Sequence, residues 1–206
     1  MRSSTWQLGL ATGLGILAAV VLSYGTNSNA RRATAQQVLG GAQQTGDASA
    51  EGQVTKAVAV VHPLGDSKMA GKVVFTQQRG GVEIRAELTG LTPGEHGFHV
   101  HEFGDCSMAS GECAGGHFNP TGAPHGAPNA EKRHVGDLGN ITADESGKAA
   151  YHRIDKMIAL HGERSIIGRS VIVHAGRDDL TSQPSGDAGA RIGCGVIGIA
   201  DPKMQH

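Results

Sequence analysis

From Gln53 onward the chain breaks into eight short runs that are rich in Val and Ile or alternate apolar and polar residues at period two. They are Lys56–Val61, Gly71–Gln77, Val82–Leu88, Gly97–Phe103, Leu138–Thr142, Lys148–Ile154, Ser170–His174 and Ile192–Ile199. A two-residue period turns one side of an extended chain to a core and the other away from it, the signature of strands. Turn chemistry separates the runs, at Gln78-Arg79-Gly80-Gly81, Gly90–Gly94, Asp144–Gly147 and Ser185-Gly186-Asp187. No segment carries a 3.6-residue period over ten residues. The pattern predicts an all-β fold, an eight-stranded Greek-key sandwich or barrel of immunoglobulin-like architecture. Aromatic residues make up only 3% of the chain, so the interior must be filled by Val, Ile, Leu and Ala. Two intervals, Gly104–Gly136 and Ala175–Arg191, are too long for hairpins, and long loops of that kind are usually functional.

The N-terminal end reads differently. Arg2 precedes the apolar, uncharged run Leu8–Tyr24 and the small-residue step Ser28-Asn29-Ala30, the three parts of a secretory signal. A run of this length is at the lower limit for crossing ~30 Å of hydrocarbon as a helix. The expectation is therefore a signal peptide over 1–30 and an exported, periplasmic or extracellular protein. An uncleaved anchor is the alternative and would be the chain's one membrane contact. Residues 31–52, rich in Ala, Gln, Gly, Ser and Thr and without a period, read as a flexible linker. The folded domain is placed at 53–206. A formal charge of -1 argues against a nucleic-acid partner, which would require phosphate-neutralising basic excess.

Histidine is the residue that points to chemistry. Of the 11 in the chain, six (96, 99, 101, 117, 125 and 134) fall within 39 positions. His99 and His101 lie two apart on an expected strand, so their imidazoles project to one face and can reach one ion. Farther on, His117, His125, His134 and Asp137 are spaced His-x7-His-x8-His-x2-Asp within Gly/Pro-rich sequence, and three imidazoles with one carboxylate suit tetrahedral zinc. His174 ends the apolar strand Val171-Ile172-Val173 where a long loop begins. A His-x-His pair alone is weak evidence. Seven ligand-type residues in this arrangement are strong evidence for a metal centre.

The stretches GFHVHEFGD (97–105), GGHFNPTG (115–122), RHVGDLGNITAD (133–144), IIGRSVIVH (166–174) and CGVIGIA (194–200) resemble the copper/zinc superoxide dismutases, in that family's order and over nearly all of 53–202. The resemblance implies copper on His99, His101, His117 and His174 and zinc on His117, His125, His134 and Asp137, with His117 shared as an imidazolate. Ligand chemistry agrees with this division, because four nitrogens suit copper and a three-nitrogen, one-oxygen set suits zinc. The implied activity is conversion of superoxide to dioxygen and hydrogen peroxide by alternating reduction and oxidation of the copper. Arg191 is implied to contact the superoxide anion, and His117 to take part in proton delivery. Asp178 is implied to accept hydrogen bonds from His99 and His125. The Ala175–Arg191 loop is shorter than in many animal and plant members and has no lysine, so attraction of the anion is expected to rest on Arg191 alone. A metal-buffering module on the same fold and a structural sandwich binding only zinc are the competing classes.

The same resemblance makes Cys194 one half of a disulfide, whose partner is Cys106 or Cys113, with Cys106 matching the position used in many bacterial relatives. Phe103-Gly104, Ile166-Ile167-Gly168 and Val196–Ile199 resemble dimer-contact segments and imply a homodimer. His96, of opposite strand parity to His99 and His101, is expected to be structural. His62, His152, His161 and His206 are expected to be exposed, and Arg177 to pair with the neighbouring Asp178 or Asp179.

Overall fold

The computed structural model describes residues 53–205; the expected signal, the whole of the expected linker and His206 lie outside the described residues. Eight antiparallel strands form the frame: β1 (Lys56–Pro63), β2 (Ala70–Gln78), β3 (Gly81–Thr89), β4 (Gly94–His101), β5 (Asp137–Ala143), β6 (Ala149–Asp155), β7 (Ser170–His174) and β8 (Arg191–Val196). The hydrogen-bonded order is β2-β3-β6-β5-β4-β7-β8-β1, and pairing of β1 with β2 closes the ring into a barrel. Closure removes the open edges that a flat sheet would expose. A two-residue strand, β9 (Gly198–Ile199), continues past β8 along the beginning of β1.

Alternation accounts for the filling of the barrel. Ala57, Ala59 and Val61 of β1, Val82, Ile84, Ala86 and Leu88 of β3, and Phe98 and Val100 of β4 all point into one buried core with Phe75 and Leu138. Phe98 meets Tyr151 edge to face with ring centroids 5.1 Å apart. On β4 both faces are buried from His96 onward. The core lies under one face, and the face carrying His99 and His101 is covered by the long loops. Register shifts interrupt the ladders between Gly97 and His99 and between Val173 and His174, so both irregularities adjoin the histidines, as bulges near active sites commonly do.

Most strand ends fall within one or two residues of the expected ones, and the larger departures are at two places. β4 begins at Gly94 rather than Gly97, pairing Gly94 and Glu95 with Ala143 and Thr142. It ends at His101 because the amides of Glu102 and Phe103 turn to loop carbonyls of Gly116 and Ala114. The expected run 192–199 is split at Ile197, whose N–H donates to Arg169 O while its own carbonyl accepts from Gly168 N. Cys106 and Cys194 form the disulfide, joining residues 88 apart. Closing a loop of that length is worth about 4–5 kcal/mol in the chain-entropy picture. Cys113 is a partly buried free thiol next to Ala114.

Candidate metal centre

β4 delivers the first two ligands. His99 and His101 leave its outer face, and β7, which pairs His99 with Ile172, ends at His174 beside them. His117 joins them through an isolated bridge to His101. Its neighbour Phe118 enters the core, which turns the His117 ring to the outer side. His99, His101, His117 and His174 each offer a ligand atom, all within 4.8 Å of one another. One nitrogen of three of these rings is anchored. His99 Nε2 donates to Asp178 Oδ2 at 2.7 Å, His101 Nδ1 to Gly115 O at 3.0 Å, and His174 Nδ1 to Gly189 O at 3.0 Å. The other nitrogens, His99 Nδ1, His101 Nε2 and His174 Nε2, are buried with no protein partner, and so is His117 Nε2. Buried polar atoms are normally paired, and four orphaned imidazole nitrogens converging on one point fit a nitrogen-loving metal such as copper.

A second group forms from His117, His125, His134 and Asp137, again within 4.8 Å. Asp137 begins β5 and is fully buried. Its Oδ2 accepts from the backbone N–H of Gly126 and of His134. Its Oδ1 accepts from His117 Nδ1 at 2.7 Å and His134 Nδ1 at 3.1 Å. His125 Nδ1 lies 3.1 Å from the same oxygen but out of hydrogen-bonding alignment. One carboxylate oxygen ringed by three imidazoles fits a tetrahedral zinc ion in place of the protons now shared there. His117 belongs to both groups, with Nδ1 toward Asp137 and Nε2 toward His99, His101 and His174.

Burial sets the charge state of the first group. It holds His99 at about 3 and His174 at about 4, and His101 well below the ordinary range. Burial lowers His117 as well, against the pull of Asp137. These rings are neutral at pH 7, the state that ligates metal. His125 is the exception. Burial pushes it down, but its contacts with Asp137 and Asp178 outweigh that and raise it to about 9. Burial pushes Asp137 and Asp178 upward, and their imidazole donors hold both well below the carboxylate range.

Asp178 ties the two groups together. Its Oδ2 receives His99 Nε2 and its Oδ1 receives His125 Nε2 at 2.9 Å, the outer-sphere contact that fixes ring orientation in metal sites. Leu180, held at a left-handed φ of 66°, donates its N–H to the same Oδ1. Arg191 stands opposite His174 on β8. Its Nη1 donates to Gly111 O and its Nη2 to Gly115 O, the carbonyl that also anchors His101.

His96 is buried but stands outside both groups, with its Nδ1 2.8 Å from His174 O and its Nε2 2.8 Å from Thr92 O and 3.3 Å from the Thr92 hydroxyl. His62, His152 and His161 are exposed. Arg177 pairs with Glu95 at 2.8 Å on β4 instead of with the neighbouring Asp178 or Asp179: Asp178 is turned inward to His99 and His125, and the Asp179 carboxylate accepts from Thr181 and Ser182. Sequence reasoning missed Arg133 and Gln183, which hold the backbone of residues in the second group, and Asn140, which holds the backbone of Asp178; none carries a ligand pattern of its own. A surface cleft of about 750 Å³ between Val60, Leu88 and Ala150 is lined by no histidine. A smaller one of about 270 Å³ opens on His117, flanked by Glu102 and Arg169. Chemistry follows the histidines, not the larger hollow.

Residues 69–197 match the family model described as copper/zinc superoxide dismutase. A "Superoxide dismutase [Cu-Zn]" of Paramecium bursaria Chlorella virus 1 is 48% identical over 158 residues, spanning 71% of this chain and 81% of the relative. A crystal structure described as that of the clock protein EA4 is 42% identical, with a TM-score of 0.66, and the match covers 72% of this chain and 96% of that one. Together with the two convergent ligand groups, these matches make the chain a member of the copper/zinc superoxide dismutase family, an oxidoreductase that acts on superoxide with copper and zinc as its metals.

Proposed function

We propose that His99, His101, His117 and His174 hold the copper and that His117, His125, His134 and Asp137 hold the zinc, with His117 common to both. The observation that carries this assignment is the position of the His117 ring. Its centroid lies 4.0 Å from His99 and 5.0 Å from His101 on one side, and 5.3 Å from His125 and 5.5 Å from His134 on the other. When bound, copper supplies the one-electron redox chemistry of dismutation, and zinc supplies a redox-inert Lewis acid that polarises the shared imidazole.

The residues supply the rest. Dismutation of two superoxide anions consumes two protons and yields one dioxygen and one hydrogen peroxide. His117 Nε2 is the atom at which such a proton is held and given up, while the Nδ1 side keeps the ring in place against Asp137. Arg191, charged at every working pH, receives the anion beside His101 and His174. Its guanidinium is half-buried and braced by two carbonyls, so it meets the substrate already oriented. The test is metal content together with superoxide consumption. One copper and one zinc per chain, with loss of both dismutation and a defined zinc-to-copper ratio in His117→Ala, is expected; full activity in His117→Ala would overturn the assignment. Arg191→Ile should slow the reaction and flatten its dependence on ionic strength while copper stays bound.

Two further readings belong to the same proposal. The chain is exported, which the Arg2–Ala30 segment supports together with a disulfide suited to an oxidising compartment; N-terminal sequencing of the mature protein from a periplasmic or culture fraction tests this. It also pairs with a second copy. Phe103, Val196 and Ile199 are 53%, 44% and 67% exposed, and a side chain at Gly104 would meet Gly168 O and Val196 Cγ1, so the segments adjoin in one apolar patch. Light scattering should give a dimer for the wild type and a monomer for Ile199→Asp.

A further inference from the structure

Of the four residues assigned to zinc, three have backbone anchors close at hand. His117 is bridged to β4, His134 is pinned through its N–H to Asp137 and through its carbonyl to Arg133, and Asp137 is part of β5. His125 stands in the Gly/Pro-rich segment between them, and its peptide groups are held by a side chain from another loop. Gln183 Oε1 accepts the His125 N–H at 2.8 Å, and Gln183 Nε2 donates to His125 O at 3.0 Å and to Thr181 O at 3.1 Å. One carboxamide thus grips both polar groups of one residue, as a neighbouring strand would.

The same loop also holds the His125 ring, through Asp178. Gly186 lies against that contact at a φ of 72°, and a Cβ there would collide with Asp178 Oδ1 and with His125 Nε2. Ring and backbone of His125 are therefore gripped from the 175–190 loop at two points five residues apart. Asn140 repeats the device one step away. Its Oδ1 accepts Asp178 N–H at 2.7 Å and its Nδ2 donates to Asp178 O at 2.9 Å.

We infer that Gln183 is a positioning residue for zinc: its carboxamide fixes the peptide of His125 so that Nδ1 faces the ion while Nε2 stays on Asp178. The inference rests on the zinc assignment above. Removal of Gln183 leaves the ring tethered by Asp178 alone, free to pivot about Nε2 and carry Nδ1 off the metal. Outer-sphere partners of metal ligands are worth about 10–100-fold in affinity, and a main-chain support belongs at the low end of that range.

The test uses metal-loaded protein bearing Gln183→Glu, which keeps the acceptor and loses the donors, or Gln183→Ala, which loses both. Gln183 is exposed, so neither change disturbs the core. Zinc release to a chromogenic chelator should become about tenfold faster in both variants, with copper content unchanged. With cobalt in place of zinc, the visible absorption should shift in both. Ser182→Ala, in the same loop but away from His125, should release zinc at the wild-type rate. Release within twofold of wild type in both Gln183 variants would overturn the inference, even if their thermal midpoints fell. His125→Ala separates the two levels: if it holds zinc as firmly as wild type, the zinc assignment itself fails, whereas rapid release there with unchanged Gln183 variants sinks only the positioning role.

Discussion

His99 and His101 leave β4 two residues apart and His174 ends β7, so three rings of the first ligand group are placed by ladders that also carry the core. His125 and His134 sit in the 104–136 loop, and their positions depend on side chains: Asp137, Asp178, Gln183 and Arg133. The strand-borne group is neutral, each ring set by burial and by one carbonyl or carboxylate. The loop-borne group is a charge cluster organised around Asp137. A barrel thus fixes the backbone of such residues through register and needs one polar contact to orient each ring, whereas a loop needs polar contacts for backbone and ring alike. One prediction is that the two groups fail under opposite conditions.

Acid and alkali should separate them most strongly, in the metal-free protein. His99 and His174, held at about 3 and about 4, sit below the ordinary histidine value near 6.5. The unfolded chain then takes up protons that the folded one refuses, so their contribution is full above pH 6.5 and is lost as pH falls from 6.5 through about 4 for His174 and about 3 for His99. His125, raised to about 9, works the other way: its contribution is full below pH 6.5 and fades as pH rises through 9. Stability of the metal-free protein should peak between these limbs. Urea midpoints measured from pH 4 to 10 check it, with a steeper acid limb because several buried imidazoles act together. His125→Gln should flatten the alkaline limb and leave the acid limb standing; a change in the acid limb alone would show that the groups are not separable.

Arg133 gives the next largest effect and acts on the loop-borne group. Its Nη1 donates to the carbonyls of His134, Val135 and Asp137, and its Nη2 to Asp155 Oδ2 at 2.5 Å. Both charges are buried. Asp155 in turn accepts from Met157 and Ile158 N–H, which leaves it committed to its place. Arg133→Met leaves the buried Asp155 carboxylate with Arg153, 3.3 Å away and partly exposed, as its one remaining cation, so the cost falls at or below the low end of the about 3–5 kcal/mol of a broken buried pair. Zinc should be released faster while copper binding at the strand-borne group changes little. Equilibrium unfolding with metal analysis of the same samples measures both, and equal loss of both metals would contradict the division.

The strand-borne group was the more legible of the two in the sequence. Period-two alternation locates β4, the unbroken β-branched run Val171-Ile172-Val173 locates β7, and strand parity puts His99 and His101 together and sets His96 apart. The residues proposed for the loop-borne group are read from residue type and spacing, but nothing in their spacing reveals what holds them. Arg133, Asn140 and Gln183 act on backbone groups, and a buried arginine inside a motif looks the same in sequence as a solvated one. The partner of Arg177 was hidden for a related reason: burial of Asp178 removes the adjacent acid, and only the β4 register brings Glu95 within reach. Of the two candidate partners of Cys194 the family resemblance favours Cys106, and the structure agrees: Cys106 packs with Leu64, Ala114, Ile172 and Cys194 and forms the disulfide, leaving Cys113 free.

The smallest effect concerns Arg191, which belongs to the strand-borne side alone. The carbonyl of Gly115 accepts from both Arg191 Nη2 and His101 Nδ1, so the guanidinium is locked to the same peptide as a metal-facing ring. Arg191→Lys keeps the positive charge but supplies a single flexible ammonium that cannot bridge Gly111 O and Gly115 O while facing the anion. Loss of one charge-assisted contact, about 1.5 kcal/mol, should slow superoxide consumption roughly tenfold. Because the charge remains, the fall in rate with ionic strength should survive, in contrast to Arg191→Ile. Metal content should equal wild type, since the ring nitrogens facing the metal are untouched. Decay of superoxide followed at several salt concentrations distinguishes the cases. A wild-type rate in Arg191→Lys would mean that charge alone serves the reaction and that the bracing carbonyls hold only His101.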